Sequence, residues 1–104
     1  MKIRKAIILV NNKRVGLLIE NSRSDYEIIY DENYSGPSIS LTLPLSKRAY
    51  KFKHFPPFFE GLLPEGIQLE ALLRQKKIDP HDYFTQLLAV GEDLVGNVTL
   101  RIET

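Results

Sequence analysis

Apolar and polar positions in the first half of the chain fall into strand-like segments. Ala6 to Val10 is an unbroken apolar run rich in branched side chains, and it stops at Asn11-Asn12-Lys13-Arg14. Val15 to Glu20 follows, so the two runs predict a β-hairpin with a four-residue loop. Neither run alternates strictly, the pattern of strands covered on both faces; branched residues and short spacing favour strand over buried helix. Residues 21–25 form a turn cluster. Tyr26, Ile28 and Tyr30 then alternate with Asp25 and Glu27, which predicts a half-buried strand. After a loop over residues 31–37, Ile39, Leu41 and Leu43 alternate with Ser38, Ser40 and Thr42. This predicts another strand, ended by Pro44, which has no N–H to give to a ladder.

The second half carries helical signals. Pro56-Pro57 suits the first positions of a short helical turn over Phe58, Phe59, Glu60, Gly61, Leu62 and Leu63, and Pro64-Glu65-Gly66 breaks it. From Ile67 to Lys77, Leu69, Leu72 and Leu73 share one helix face, with Lys76 and Lys77 at the end where the dipole favours cations. Asp79 is placed to cap a third helix, with Pro80 at its first position and Asp82 in its first turn. Tyr83, Phe84, Leu87 and Leu88 form its inward stripe, and Gly91 is placed to end it. Val98, Leu100 and Ile102 alternate with Thr99, Arg101 and Glu103, predicting a closing strand. The expected architecture is one small α+β domain over residues 1–104. It has an antiparallel sheet, open or barrel-like, from the first half, then two or three helices and the closing strand.

Composition narrows the chemistry. With 43% hydrophobic and 26% charged residues in 104, the chain carries enough apolar side chain to bury a core. Fourteen Lys and Arg against thirteen Asp and Glu give a net charge of +1, which supplies no general attraction to polyanions. There is no cysteine, hence no disulfide and no thiolate chemistry. The apolar run after Met1 is too short for a signal core or a membrane span, so a cytoplasmic protein with no membrane partner is expected.

Candidate catalytic groups are scarce. His54 and His81 lack the spacing to another ligand that would hold zinc, and they read as exposed side chains. Gly91 and Gly96 are spaced as in a phosphate loop, but Asn97-Val98 stands where Lys and Ser/Thr must be, so no nucleotide or other cofactor is implied. The segment from Lys47 to Lys53 interleaves bases with Tyr50 and Phe52, as single-strand nucleic-acid surfaces do. The plainer account is an edge strand whose lysines discourage pairing while the aromatics pack inward. Phe55, Phe58, Phe59, Leu62 and Leu63, set among prolines and glycines, make a stiff apolar corner fit for core or contact.

Three stretches together resemble the N-terminal subdomain of the HipA family of serine/threonine toxin kinases. They are Ser38-Ile39-Ser40-Leu41-Thr42-Leu43-Pro44-Leu45, Phe58-Phe59-Glu60-Gly61-Leu62-Leu63-Pro64-Glu65-Gly66, and Gly91-Glu92-Asp93-Leu94-Val95-Gly96-Asn97-Val98. The middle stretch is the most specific, and the likeness covers nearly the whole chain. The family's kinases phosphorylate a cellular target such as an aminoacyl-tRNA synthetase and are neutralised with a helix-turn-helix antitoxin. The chain carries none of the kinase lysine, catalytic-loop aspartate or metal-binding acid, so it is not expected to be an enzyme.

The resemblance implies a HipS-like antitoxin or accessory subunit of a split system. Its expected partner is a HipT-like serine/threonine kinase, with a HipB-like helix-turn-helix protein as a further component and no direct contact with nucleic acid. A chain running from Met1 to just past the last stretch fits that reading better than the regulatory piece of a longer HipA-type kinase. The candidate contact residues are Pro64, Glu65, Gly66 and Ile67, with Glu92 and Asp93 as a second loop. Relatives often carry a bulky, frequently aromatic residue directly after Pro-Glu-Gly, where this chain has Ile67, a smaller probe for a kinase cleft. The rival from another class is a small nucleic-acid-binding module built on Lys47 to Lys53.

Overall fold

The structure is a computed structural model that describes residues 2–91, 94 and 97–103. Arg4–Val10 (β1), Lys13–Ser22 (β2) and Asp25–Tyr30 (β3) form an antiparallel meander, and Ala49–Phe52 (β4) adds to β3. Three helices follow, Pro57–Glu60 (α1), Gly66–Lys76 (α2) and Tyr83–Val90 (α3), before Val98–Ile102 (β5) pairs antiparallel with β1. The order β4-β3-β2-β1-β5 leaves β4 and β5 as open edges, so the sheet is open and not barrel-like.

One face of the sheet carries the core. Ala6, Ile8, Leu18, Ile28 and Leu100 are fully buried there with Phe59, Phe84 and Leu87 from the helices. On the other face Ile7 and Ile19 are 9% and 8% exposed but Leu9, Leu17 and Ile29 are only half-buried, so the unbroken apolar runs mark strands covered on one face and shielded in part on the other. The β1–β2 loop has two residues, not four: Asn11 and Asn12 take φ of 52° and 66°. Paired left-handed residues match the twist of a tight hairpin, and asparagine tolerates that region.

The strand expected over Ser38 to Leu43 is absent. Serine hydroxyls there bond the local backbone instead of leaving it for a ladder. Thr42 N–H donates to Ser40 Oγ at 3.2 Å, and Leu43 N–H donates to Ser40 O at 3.0 Å. The buried Tyr30 hydroxyl accepts from Ile39 N–H and donates to Leu43 O, pinning both ends of the loop inward. Leu41, between them, is 98% exposed.

The cap of α3 is Asp82, not Asp79; its Oδ1 accepts from Thr85 N–H at 3.2 Å. Asp79 instead accepts from His81 N–H at 2.8 Å in the preceding turn. Gly91 does stand at the end of α3, but in a right-handed conformation. Its lack of a side chain matters for another reason: a Cβ would lie 2.6 Å from the Leu100 carbonyl oxygen, where α3 meets β5.

Candidate functional site

The corner between α1 and α2 is built on a fixed base. Pro56 and Pro57 set α1, and Phe59 is fully buried with Phe58 edge-on to it at 5.2 Å. Leu62 N–H donates to Phe59 O and Leu63 N–H to Glu60 O, so the chain continues in tight turns after α1. Leu62 and Leu63 are half-buried against the core. Pro64 follows half-buried, and Glu65 is extended at φ −128°, ψ 163°.

Gly66 then takes φ +59°, a region that costs an ordinary L-residue roughly 1–2 kcal/mol, although a Cβ there would meet nothing within 4 Å. This left-handed step turns the chain into α2 and puts Ile67 into solvent, 84% exposed. Glu65 caps α2 through its backbone without a side-chain cap bond, so its carboxylate is not used by the helix. The four residues Pro64, Glu65, Gly66 and Ile67 therefore form one projecting step. Leu62, Leu63, Pro64, Glu65, Gln68 and Val90 line a shallow cavity of about 570 Å³ beside it. Glu92 and Asp93 lie outside the described residues.

The rival segment lies on β4, at an edge of the sheet. Tyr50 and Phe52 are half-buried against the core, and Lys51 faces solvent 3.9 Å from Glu27. His54 and His81, unpaired in sequence, share a cleft of about 480 Å³ with Arg23, Glu60 and Tyr83. Among the described residues no group of three His, Cys, Asp or Glu is placed to hold a metal ion. No helix there is long and apolar enough to cross a membrane.

A buried ionic network, not foreseen from the sequence, ties α3 to the sheet. Arg4 donates to the buried Glu20 carboxylate from Nε at 2.7 Å and approaches it with Nη2 at 2.6 Å. The same guanidinium donates to Asp82 Oδ1 at 2.8 Å and Thr85 Oγ1 at 2.9 Å. Tyr26 Oη completes the set, donating to Glu20 at 2.9 Å. Burial alone would raise the Asp82 pKa, but the hydrogen bonds from Arg4 and Thr85 outweigh it and hold the carboxyl at about 2. Burial, reinforced by the bond to Glu20, pushes the Tyr26 phenol up to about 12. An arginine in the first strand and an aspartate in a helix cap are paired only by the fold. No spacing rule links positions 4, 20 and 82.

Several known proteins are similar to this chain in sequence or structure. An uncharacterised protein of Haemophilus influenzae is 29% identical over 101 residues, covering 97% of this chain and 94% of its own. A putative kinase, Y4dM, of Sinorhizobium fredii is 36% identical over 77 residues, which is 68% of this chain but 19% of that protein. The solved N-terminal domain of HipA toxin superposes with a TM-score of 0.77 at 25% identity, covering 100% of this chain and 96% of that one. The HipA N-terminal domain family matches residues 6–101, and the chain belongs to that family.

Proposed function

We propose that this chain is a non-catalytic, HipS-like subunit that binds a HipT-like serine/threonine kinase and restrains it. The observation that carries the reading is the step at residues 64–67, where Ile67 is 84% exposed on a base fixed by Phe59, Leu62 and Leu63. A projection already held in shape loses little entropy on binding, so its side chains can act as interface anchors. Glu65 offers a carboxylate to a cationic nucleotide site, and Ile67 offers an aliphatic group to an apolar notch. In this reading the step occludes the kinase's active-site side, and a HipB-like protein joins the same complex.

A second reading has its own support. The match to Y4dM lies within 19% of that putative kinase, so the same surface can serve as a regulatory domain inside a longer chain. Both readings place the contact on the kinase domain, and they differ in covalent linkage.

The test is the double variant Glu65→Ala with Ile67→Ala. Its melting temperature stays within a few degrees of wild type, because neither side chain is buried. Loss of an anchor costs about 2 kcal/mol, roughly thirtyfold in affinity for the kinase. Restraint is read as growth rescue on co-expression, at matched protein levels. Rescue equal to wild type would remove this corner from the interface, whereas failure of the wild-type chain to bind any HipT-like kinase would remove the reading itself.

A further inference from the structure

The open edge of β4 carries a second, differently built surface. Tyr30 N–H donates to Arg48 O at 2.8 Å, so residues 48, 50 and 52 turn their backbone groups toward β3 in the alternating antiparallel pattern. Ala49 and Lys51 therefore direct N–H and C=O at the open edge. On the core side of that edge lies a cavity of about 320 Å³ lined by Thr42, Leu43, Tyr50, Phe52, Pro57 and Phe58. Its neighbour in sequence, Leu41, is 98% exposed. On the opposite side Lys51 has a 75% exposed side chain 3.9 Å from Glu27, and Lys53 is exposed as well, while the exposed Lys47 lies over the Tyr50 ring at 5.2 Å.

We infer that β4 accepts an added strand from a partner protein, an extended segment in which apolar and acidic residues alternate. A strand laid about 4.8 Å from β4 alternates its own side chains between the two faces. Those opposite Tyr50 and Phe52 fall over the apolar cavity, and those opposite Ala49 and Lys51 fall beside the lysines. Backbone bonds supply affinity and the alternating pockets supply selection, as in other strand-addition complexes. The lysines choose the occupant. A second copy of this chain pairing through β4 would bring its own Lys51 and Lys53 against these, which like charge disfavours. An acidic strand meets the opposite sign. This surface is separate from the 64–67 step and does not depend on the kinase reading.

The probe is a fluorescein-labelled Gly-Glu-Leu-Glu-Val-Glu-Gly peptide, followed by anisotropy with the full chain. Binding is expected, weakened about tenfold or more by Lys51→Glu with Lys53→Glu, and equally weakened when the peptide's glutamates become lysines. Glu65→Ala with Ile67→Ala leaves it unchanged. Amide exchange on the wild-type chain shows peptide-dependent protection at Ala49 and Lys51, a result that needs no variant to fold. Absence of binding at millimolar peptide overturns the inference. So does protection confined to β5 or the corner, a self-associated dimer through β4, or preference of the same lysines for a poly-dT oligonucleotide over the peptide.

Discussion

Replacing Arg4 with alanine tests the energetic centre of the fold. Glu20 is 1% exposed and would lose both guanidinium contacts, at 2.6 and 2.7 Å, keeping Tyr26 Oη as its donor. Breaking a buried pair by removing one partner costs about 3–5 kcal/mol, because the remaining charge stays out of water. Asp82 has a side chain 20% exposed and retains Thr85, so its share is the ~0–1 kcal/mol of an accessible pair. The guanidinium also lies 4.9 Å from the Phe84 ring centre, worth about 0.5–1 kcal/mol. Because the Arg4 side chain is itself 30% exposed, each term is taken toward the low end of its range, and the total near ~4 kcal/mol is a large part of the roughly 5–15 kcal/mol that holds a domain of this kind. At about 4–8 °C per kcal/mol, melting falls by ~16–32 °C. Urea unfolding followed by circular dichroism measures it directly. In the Arg4→Ala background, Glu20→Gln should return about 2 kcal/mol by removing the stranded charge. An Arg4→Ala cost below ~1 kcal/mol would refute the reasoning, since so small a loss means the pair was never effectively buried. Further destabilisation by Glu20→Gln would refute it too.

Two further outcomes follow from the same region. Asp82 titrates at about 2 in the folded chain against an ordinary 3.8, so the unfolded chain takes up the proton first. Its stabilisation is full above about 3.8 and is lost as pH falls through about 2, and Asp82→Asn flattens that part of the melting-temperature profile. Equal acid losses in wild type and variant would contradict the assignment. Gly91→Ala forces a Cβ to within 2.6 Å of Leu100 O and should cost about 1–3 kcal/mol in chemical denaturation. An unchanged midpoint would show that α3 can move away from β5 freely.

Alternation told the truth where a ladder neighbour existed and misled where one did not. Tyr26, Ile28 and Tyr30 alternate and form β3 because β2 and β4 flank them on both sides. Ile39, Leu41 and Leu43 alternate just as well, yet the Ser40 hydroxyl between them bonds the local backbone and Tyr30 holds the ends. The corner was legible because Pro64 and Gly66 are punctuation whatever surrounds them. The network at Arg4 was not, because its members stand far apart in sequence and each is an ordinary polar residue in its own segment. The α3 cap shifted from Asp79 to Asp82 for the same reason. Either aspartate satisfies the local rule, and the arginine from β1 reaches the second.

Stability and the proposed contact occupy different parts of this chain. The helix α2 behind the step has no buried residue, while the fully buried side chains sit on β1 to β3, β5, α1 with its cap Pro56, and α3. Little of the folding free energy therefore passes through the residues that project at 64–67, apart from the left-handed turn at Gly66. At Arg4 the opposite holds, since a change there weakens the whole sheet–helix junction and lowers binding only by unfolding the domain. The two variants should separate cleanly. Under the proposed function, Arg4→Ala loses restraint of a kinase in proportion to the folded fraction lost, and regains it on cooling or with stabilising osmolyte. Ile67→Ala gives up a side chain that stood in water before binding, so any restraint it loses is lost at full folding and no osmolyte restores it.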